Sequence, residues 1–309
     1  MSGSEERFLV TGALGCIGAW TCGVLAAEGV DVVGFDLGAD ERRLALAGAA
    51  GSPIVRGDIT DRTTLDAVLD RHRITHVVHL AALLIPQIKA DPPRGTAVNV
   101  GGTVNVLDAA KTRGIRVAYA SSAAAYSAAD DVGGPVANDA VGHPTTFYGV
   151  HKQACEGLAR IFWDEERVPS IGIRPFIVYG PGRDNGLTAS PSLAMANAAR
   201  GEDSVIAFGG RTQLQFAPDT ARVFVAAARA AESGARAFHL GGPASTIAEA
   251  ASAIEAASGT SVSVDEANLL PFPEEFDGAP LDEALGGISW TPLEQGVEQT
   301  IERLRAVVG

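Results

Sequence analysis

The sequence predicts an α/β protein: a doubly wound parallel sheet followed by a smaller C-terminal α/β lobe. Three observations predict it. Short apolar runs alternate with helix-length segments from Arg7 to Arg174, the arrangement that gives right-handed crossovers and a sheet covered on both faces. The first apolar run leads through a glycine-spaced turn into a helix. After Pro175 the alternation gives way to turn clusters and scattered helices. The expected division is a first domain over residues 1–175 and a second lobe over 176–309, not fully separable.

In order, Arg7 to Thr11 reads as a buried strand, followed by the glycine turn and an apolar-faced helix to Glu28. Asp31 to Phe35 is a second strand ending at Asp36, and Glu41 to Gly48 is helical. Ile54 to Arg56 is a third strand closing on Gly57-Asp58, after which Thr60-Asp61 caps a helix to His72. Thr75 to Leu80 is a fourth strand, Arg94 to Thr112 a long helix behind two prolines, and Ile115 to Ala120 a fifth strand. A helix over Phe147 to Glu166 and a strand over Ser170 to Arg174 complete the series. Beyond a loop from Asp184 to Ser192, helices are expected at Pro191 to Arg200, Pro218 to Glu232, Ile247 to Ala257 and Pro292 to Val308. Short strands are expected near Val205 to Phe208 and Phe238 to Leu240.

Composition narrows the partners. The 309 residues suffice for one large domain or two sharing a core, and 46% hydrophobic with 20% charged residues is an ordinary globular balance. A formal net charge of -13 argues against nucleic acid and anionic membranes, which need clustered cations. No apolar run approaches the roughly 18 residues that cross a bilayer, and Met1 to Arg7 has no export-signal pattern. Cys16, Cys22 and Cys155 are an odd count without metal-ligand spacing, read as free thiols in a reducing cytoplasm. Cys16 stands at a helix start, which can depress a thiol pKa; the competing reading is a small packed side chain. No histidine or acid cluster suggests a metal.

Ligands of such sheets lie beyond the carboxyl ends of the strands, and the chemistry-bearing residues follow strands here. Gly12, Gly15 and Gly18 form a G-x-x-G-x-x-G turn between strand and helix. Such a turn lets the backbone approach a pyrophosphate, which sits on the helix-start N–H groups. The acid expected about twenty residues on is Asp36. Its carboxylate would accept the adenosine ribose hydroxyls and repel a 2′-phosphate, favouring NAD over NADP, although Arg42 and Arg43 lie close enough to meet such a phosphate. Asp58 would bind the adenine amino group or cap a helix, with Asp61 competing for the cap. Tyr148 and Lys152 share a helix face at i,i+4; an ammonium beside a phenol favours the phenolate and use as a base. Ser121-Ser122 follows the fifth strand at the same sheet edge.

At this point the sequence resembles the extended short-chain dehydrogenase/reductase family, of the NAD-dependent epimerase/dehydratase type. The resemblance rests on the glycine turn, Asp36, Gly57-Asp58, His79-Leu80-Ala81-Ala82, Asn99, Ser121-Ser122, Tyr148 to Lys152, and Arg174-Pro175 through Tyr179-Gly180-Pro181-Gly182. It implies a Rossmann domain in which Ser122 hydrogen-bonds the reacting oxygen, Tyr148 is the general base, and Lys152 assists the tyrosine and holds the nicotinamide ribose. It implies cofactor contacts at Gly12, Gly15, Cys16, Ile17 and Gly18, then at Asp36, Leu37, Asp58 and Ile59. Further contacts are implied at Leu80, Ala81, Ala82, Asn99, Ala120, Tyr148, Lys152, Pro175 and Ile177. Asn99 would belong to a proton-relay network or serve packing alone. It also implies a homodimer formed by the helices over 94–112 and 147–166, whose apolar faces the chain's own core could equally bury.

Departures from the family pattern bear on the reaction. Ala123 and Ala124 follow Ser122 where dehydratases place an acid pair, so dehydration is not expected. The family's nucleotide-binding arginine falls near Thr212, with Arg211 one position away. Residues 261–300 contain no Lys or Arg, and residues 184–309 hold seven arginines, no lysine and seventeen acids. That field serves a diphosphate poorly. The expected activity is therefore oxidation at a secondary alcohol of a small polyol, free sugar or hydroxy acid. The site would draw on Leu83, Ser122, Ala123, Tyr148, Phe176 and Arg183, with an apolar wall from Leu83 to Gln87. Arg183 would grip a carboxylate or pair with Asp184 at the surface. The alternatives are a nucleotide-sugar 4-epimerase of the UDP-hexose type that retains its NAD, and a non-catalytic dinucleotide sensor. His79, His143 and His151 read as packing or surface residues, His151 with the option of tuning the relay.

Overall fold

The computed structural model describes residues 6–231 and 234–308; the polar start at Met1 to Glu5 and the expected helix end at Glu232 lie outside them. The chain runs β1 (Arg7–Thr11), α1 (Cys16–Ala27), β2 (Asp31–Asp36), α2 (Arg42–Leu46), β3 (Ile54–Arg56), α3 (Arg62–Arg71) and β4 (His76–His79). Next come α4 (Ile85–Ala90), α5 (Pro92–Thr96), a π-helical turn (Ala97–Gly101), α6 (Gly102–Lys111), β5 (Arg116–Ala120), α7 (Phe147–Glu166) and β6 (Ser170–Arg174). The remainder is β7 (Ile177–Tyr179), α8 (Ser190–Ala199), β8 (Ser204–Ile206), β9 (Arg211–Phe216), α9 (Ala217–Arg229), β10 (Ala235–His239), β11 (Ala244–Thr246), α10 (Ile247–Ser258), β12 (Val262–Val264), α11 (Ala279–Leu285) and α12 (Leu293–Val308).

Seven parallel strands in the order β10-β6-β5-β4-β1-β2-β3 form the main sheet, a Rossmann-type arrangement. Thr11 is level with both Phe35 and His79, so the chain leaves three strands at one edge. The order reverses between β1 and β4, and that switch point opens the ligand crevice. One face of the sheet is covered by a core including Trp20, Leu25, Phe224 and Phe238, the other by one including Leu65, Leu69, Leu107 and Ala159. The near-continuous burial of α9 beneath the first face, with β10 beside β6, brings residues beyond Pro175 back into the first layer. Two small sheets, β11-β9-β7 and β12-β8, build the rest of the second lobe. No described helix is long and apolar enough to cross a membrane.

Four features depart from the expected pattern. The wall from Leu83 to Gln87 is in part helical, because Pro86 sits in the first turn of α4, where a missing N–H costs nothing. The long helix behind the prolines is interrupted by the π-helical turn that holds Asn99. β9 was hidden by its polar residues: Gln213 and Gln215 are buried, donating to the carbonyls of Gly242, Phe276 and Gly241. β7, β11 and β12 have three residues each, too few for alternation to show.

Candidate active site

The glycine turn is shaped for close approach. Gly12 takes φ +69, and a Cβ there would lie 2.7 Å from the backbone nitrogen of Ala81. A Cβ on Gly18 would lie 2.1 Å from the carbonyl oxygen of Gly12. Gly15 is the N-cap of α1 without a side-chain cap, and the first turn holds no acid. The helix-start N–H groups, at Cys16 and Ile17, therefore remain open to an anion. Burial pushes the Cys16 thiol up to about 12, against the charges of Arg183 and Arg43. Desolvation outweighs the two guanidiniums at this half-buried thiol.

From this turn runs a groove of about 370 Å³. Gly12, Gly15, Asp36 and Leu37 line it, as do Asp58, Ile59 and the stretch Leu80 to Leu83. Asp36 is aimed by two backbone donors, Leu14 N–H at 2.9 Å and Gly38 N–H at 2.8 Å. Asp61 caps α3 through Thr63 and Thr64, which leaves Asp58 for the groove. The Asp58 carboxylate accepts from the Thr60 backbone at 2.9 Å, the Thr60 hydroxyl at 2.7 Å and Arg94 Nη2 at 2.5 Å. Burial works to raise its pKa, but these hydrogen bonds outweigh it and hold the carboxyl below the usual range.

Arg94 and Arg43 also line the groove. Arg94 carries no sequence signal beyond following two prolines. Arg43 is committed elsewhere: it donates to the carbonyls of Gly182 and Leu14, each at 2.9 Å, and to Asp184 at 2.5 Å. Arg42 pairs with Asp40 at 2.6 Å. A cradle that excludes Cβ atoms, an uncapped helix start and an unobstructed acid at the second strand end fit a dinucleotide.

The three residues of the expected catalytic set lie on segments that meet. Ser122 has extended backbone and caps the turn Ala123–Ala125, accepting from Ala124 N–H at 3.1 Å. Neighbouring Ser121 turns the other way, donating to Glu156. Thr146 caps α7 by accepting from Gly149 N–H at 3.1 Å, which fixes where Tyr148 emerges. Gly149 lets this first turn press against the serine turn, since a Cβ would lie 2.0 Å from the carbonyl oxygen of Ala124. One turn on, Lys152 is 5% exposed and donates from Nζ to the Ala120 carbonyl at 2.6 Å. Its Nζ stands 5.4 Å from the Tyr148 ring centre. Gln153 completes the grip by donating to the carbonyls of Ala125 and Gly142.

A buried ion pair beneath the site was not read from the sequence. Arg174 donates to both oxygens of Glu156, at 2.7 and 2.8 Å, and to the Asn138 carbonyl at 3.0 Å. It fastens α7 to β6. The available signal was Glu156 four residues beyond Lys152.

The other expected residues take varied places. The Asn99 side chain is spent on Leu83, accepting from its N–H at 2.8 Å and donating to its carbonyl at 3.0 Å. The extra backbone of the π-helical turn brings it there. Pro175 accepts from Ala123 N–H at 2.9 Å. Ile177 is fully buried in the second lobe's core, opposite Leu214, so its side chain does not face the groove. Phe176 is half-buried and meets Phe276 and Phe272 edge-on, at 5.2 and 6.1 Å. Arg183 donates to Thr188 at 3.2 Å, whereas neighbouring Asp184 belongs to Arg43. His79 bridges Thr11 and Thr103 at 2.7 and 3.2 Å. Buried His151 bonds Thr96 at 3.1 Å, and exposed His143 meets Asp130 at 2.5 Å.

Residues 8–241 match the model of the NAD dependent epimerase/dehydratase family. A UDP-glucose 4-epimerase from Azospirillum brasilense is 32% identical over 179 residues, 57% of this chain and half the length of that enzyme. A UDP-glucose 4-epimerase from Mycolicibacterium smegmatis is 29% identical over 313 aligned residues, 97% of this chain and 98% of its own. Among solved structures, a partial-consensus L-threonine 3-dehydrogenase superposes with a TM-score of 0.86 at 25% identity, over 97% of this chain and 99% of its own. The chain belongs to the NAD-dependent epimerase/dehydratase family and is an extended short-chain dehydrogenase/reductase, an epimerase or a dehydrogenase by class.

Proposed function

We propose that the chain is an NAD-dependent dehydrogenase acting on a secondary alcohol of a small polyol, free sugar or hydroxy acid, with Ser122, Tyr148 and Lys152 as its catalytic residues. The observation that carries this reading is the fate of Arg211. By the family resemblance it is the cation nearest to where a nucleotide sugar's diphosphate would need one, and its guanidinium is bound to Glu275. Residues 261–300 supply no other Lys or Arg. A diphosphate without charge-assisted donors would be held weakly.

Bound NAD supplies the hydride acceptor. Tyr148 takes the hydroxyl proton of the substrate, and the Ser122 hydroxyl orients the same oxygen. Lys152 spends one of its three donors on Ala120, keeping the others for the charge that develops on the phenol and for ribose hydroxyls. Ala123 and Ala124 offer no acid to protonate a leaving hydroxide. NAD is preferred to NADP because Asp36 repels a 2′-phosphate while Arg42 and Arg43 have their donors committed. We place a homodimer interface on the 94–112 and 147–166 helices.

The test is to incubate the protein with NAD and a panel of polyols, sugars and hydroxy acids, following absorbance at 340 nm. NADH build-up with one of them is the expected result. The second reading, a UDP-hexose 4-epimerase, is favoured by the near full-length match to the Mycolicibacterium enzyme. It would show as conversion of a UDP-hexose with no NADH build-up.

A further inference from the structure

The groove is poor in uncommitted positive charge. Its lining carries Asp36, Asp40 and Asp58 against Arg43 and Arg94. Arg94 is held by Asp58, and the donors of Arg43 go to Gly182, Leu14 and Asp184. A dinucleotide's diphosphate brings two negative charges, and a helix start offers about half a positive one. The remainder calls for a cation close to the first turn of α1.

Arg183 stands there, delivered by the loop after β7. The two residues before it are fastened to the rim of the site. The Pro181 carbonyl accepts from Trp20 Nε1 at 2.9 Å and lies 3.9 Å from the Cys16 sulfur, and Arg43 holds the Gly182 carbonyl at 2.9 Å. Arg183 and Arg43 are the cations whose charge reaches the Cys16 side chain. The Arg183 side chain is half-buried, and among the described residues its Nε is buried with no partner and Nη2 meets only the Thr188 hydroxyl. The adjacent acid, Asp184, is taken by Arg43. Gly186, at φ +105, makes room for the guanidinium: a Cβ there would come within 3.0 Å of Nη2.

We propose that Arg183 is a positioning residue for the cofactor, whose guanidinium holds the diphosphate over the first turn of α1 and so ties the second lobe's loop to the occupied groove. This rests on the NAD reading of the groove. It reassigns Arg183 from the substrate, where the sequence placed it, to the cofactor.

The test measures binding to the full-length chain by titration calorimetry, with NAD, ADP-ribose and adenosine as probes and no turnover. Arg183→Met keeps the aliphatic stem and removes the charge. The expected result is a Kd for NAD and for ADP-ribose raised about ten- to hundredfold, with adenosine affinity unchanged. Arg183→Lys recovers part of the loss, and NAD binding by the Met variant depends less steeply on salt. A Met variant that melts with the wild type and binds NAD and ADP-ribose within about twofold overturns the proposal. So does a variant with intact NAD affinity whose only defect is a raised KM for a carboxylate substrate. A wild-type chain that binds neither NAD nor ADP-ribose overturns the groove reading along with it.

Discussion

Gly149 sets how closely the tyrosine-bearing helix approaches the serine turn. A Cβ at this position would meet the Ala124 carbonyl oxygen at 2.0 Å and the Pro144 ring at 2.7 Å, and neither can swing aside as a flexible side chain would. Gly149→Ala must therefore lift the first turn of α7 away from Ser122. The expected outcome is a loss in kcat of about a hundredfold from misplaced reacting groups, at a stability cost of about 1–3 kcal/mol for overpacking; steady-state kinetics beside thermal melting read both. Tyr148→Phe removes the proton acceptor and leaves the packing, so kcat falls by roughly 10²–10⁴ while NAD still binds, as measured by calorimetry. An unaltered kcat in Tyr148→Phe rules out the assigned base. Tyr148 and Lys152 were legible because helical spacing alone puts them on one face. The Arg174–Glu156 pair was not, since its partners stand on separate elements and meet only when α7 docks on β6.

The outer side of α7 was half legible. The sequence shows its apolar residues but not which of them the protein's own core covers. Cys155 and Ala159 are buried, whereas Phe147, Val150 and Ile161 are 58%, 51% and 41% exposed. A Cβ on Gly157 of this helix, or on Gly101 beside α6, would touch nothing within 4 Å, so both helices present a low surface that a second helix pair can approach closely. An apolar stripe of this kind is costly to leave in water, which is the physical ground for the proposed homodimer. Ile161→Glu sets a charge within the stripe, toward the C-terminal end of α7. The expected outcome is a shift from dimer to monomer by light scattering after size exclusion, with the melting temperature falling as well. A wild-type chain already monomeric at micromolar concentration removes the proposal. Other element-level features were hidden for local reasons. The π-helical turn has no composition signature, and β9 carries two glutamines whose polar ends are satisfied only by loops far away in sequence.

At the scale of the whole molecule, two buried histidines tie stability to pH. His79 lies within the main sheet, and His239 ends β10 at its far edge, packed against Tyr126 and Phe276 at 5.1 and 4.8 Å. Burial, reinforced by Lys152 for His79 and by Arg174 for His239, pushes both down to about 3. Unfolded, each would take up a proton near 6.5; folded, each stays neutral until about 3. The unfolded chain therefore binds more protons through that interval. Their contribution to stability is complete above about pH 6.5 and is lost as pH falls from there toward 3. Asp58, Asp61, Asp130 and Glu249, all held low, add to the loss only below their own ordinary range. Melting temperature should be level between about pH 8 and 7 and decline steadily below about 6.5. His239 makes the sharper test, because its ring packs chiefly against Tyr126 and Phe276 and its polar neighbour is the Val136 backbone, so replacing it disturbs little hydrogen bonding. His239→Leu should reduce the slope of unfolding free energy against pH between about 6 and 5 by about one proton's worth, leaving His79 and the also lowered His76 and His151 as the remainder, as followed by urea denaturation at each pH. An identical slope in the variant would show that His239 takes up its proton in the folded protein and that the aromatic box around it opens to water.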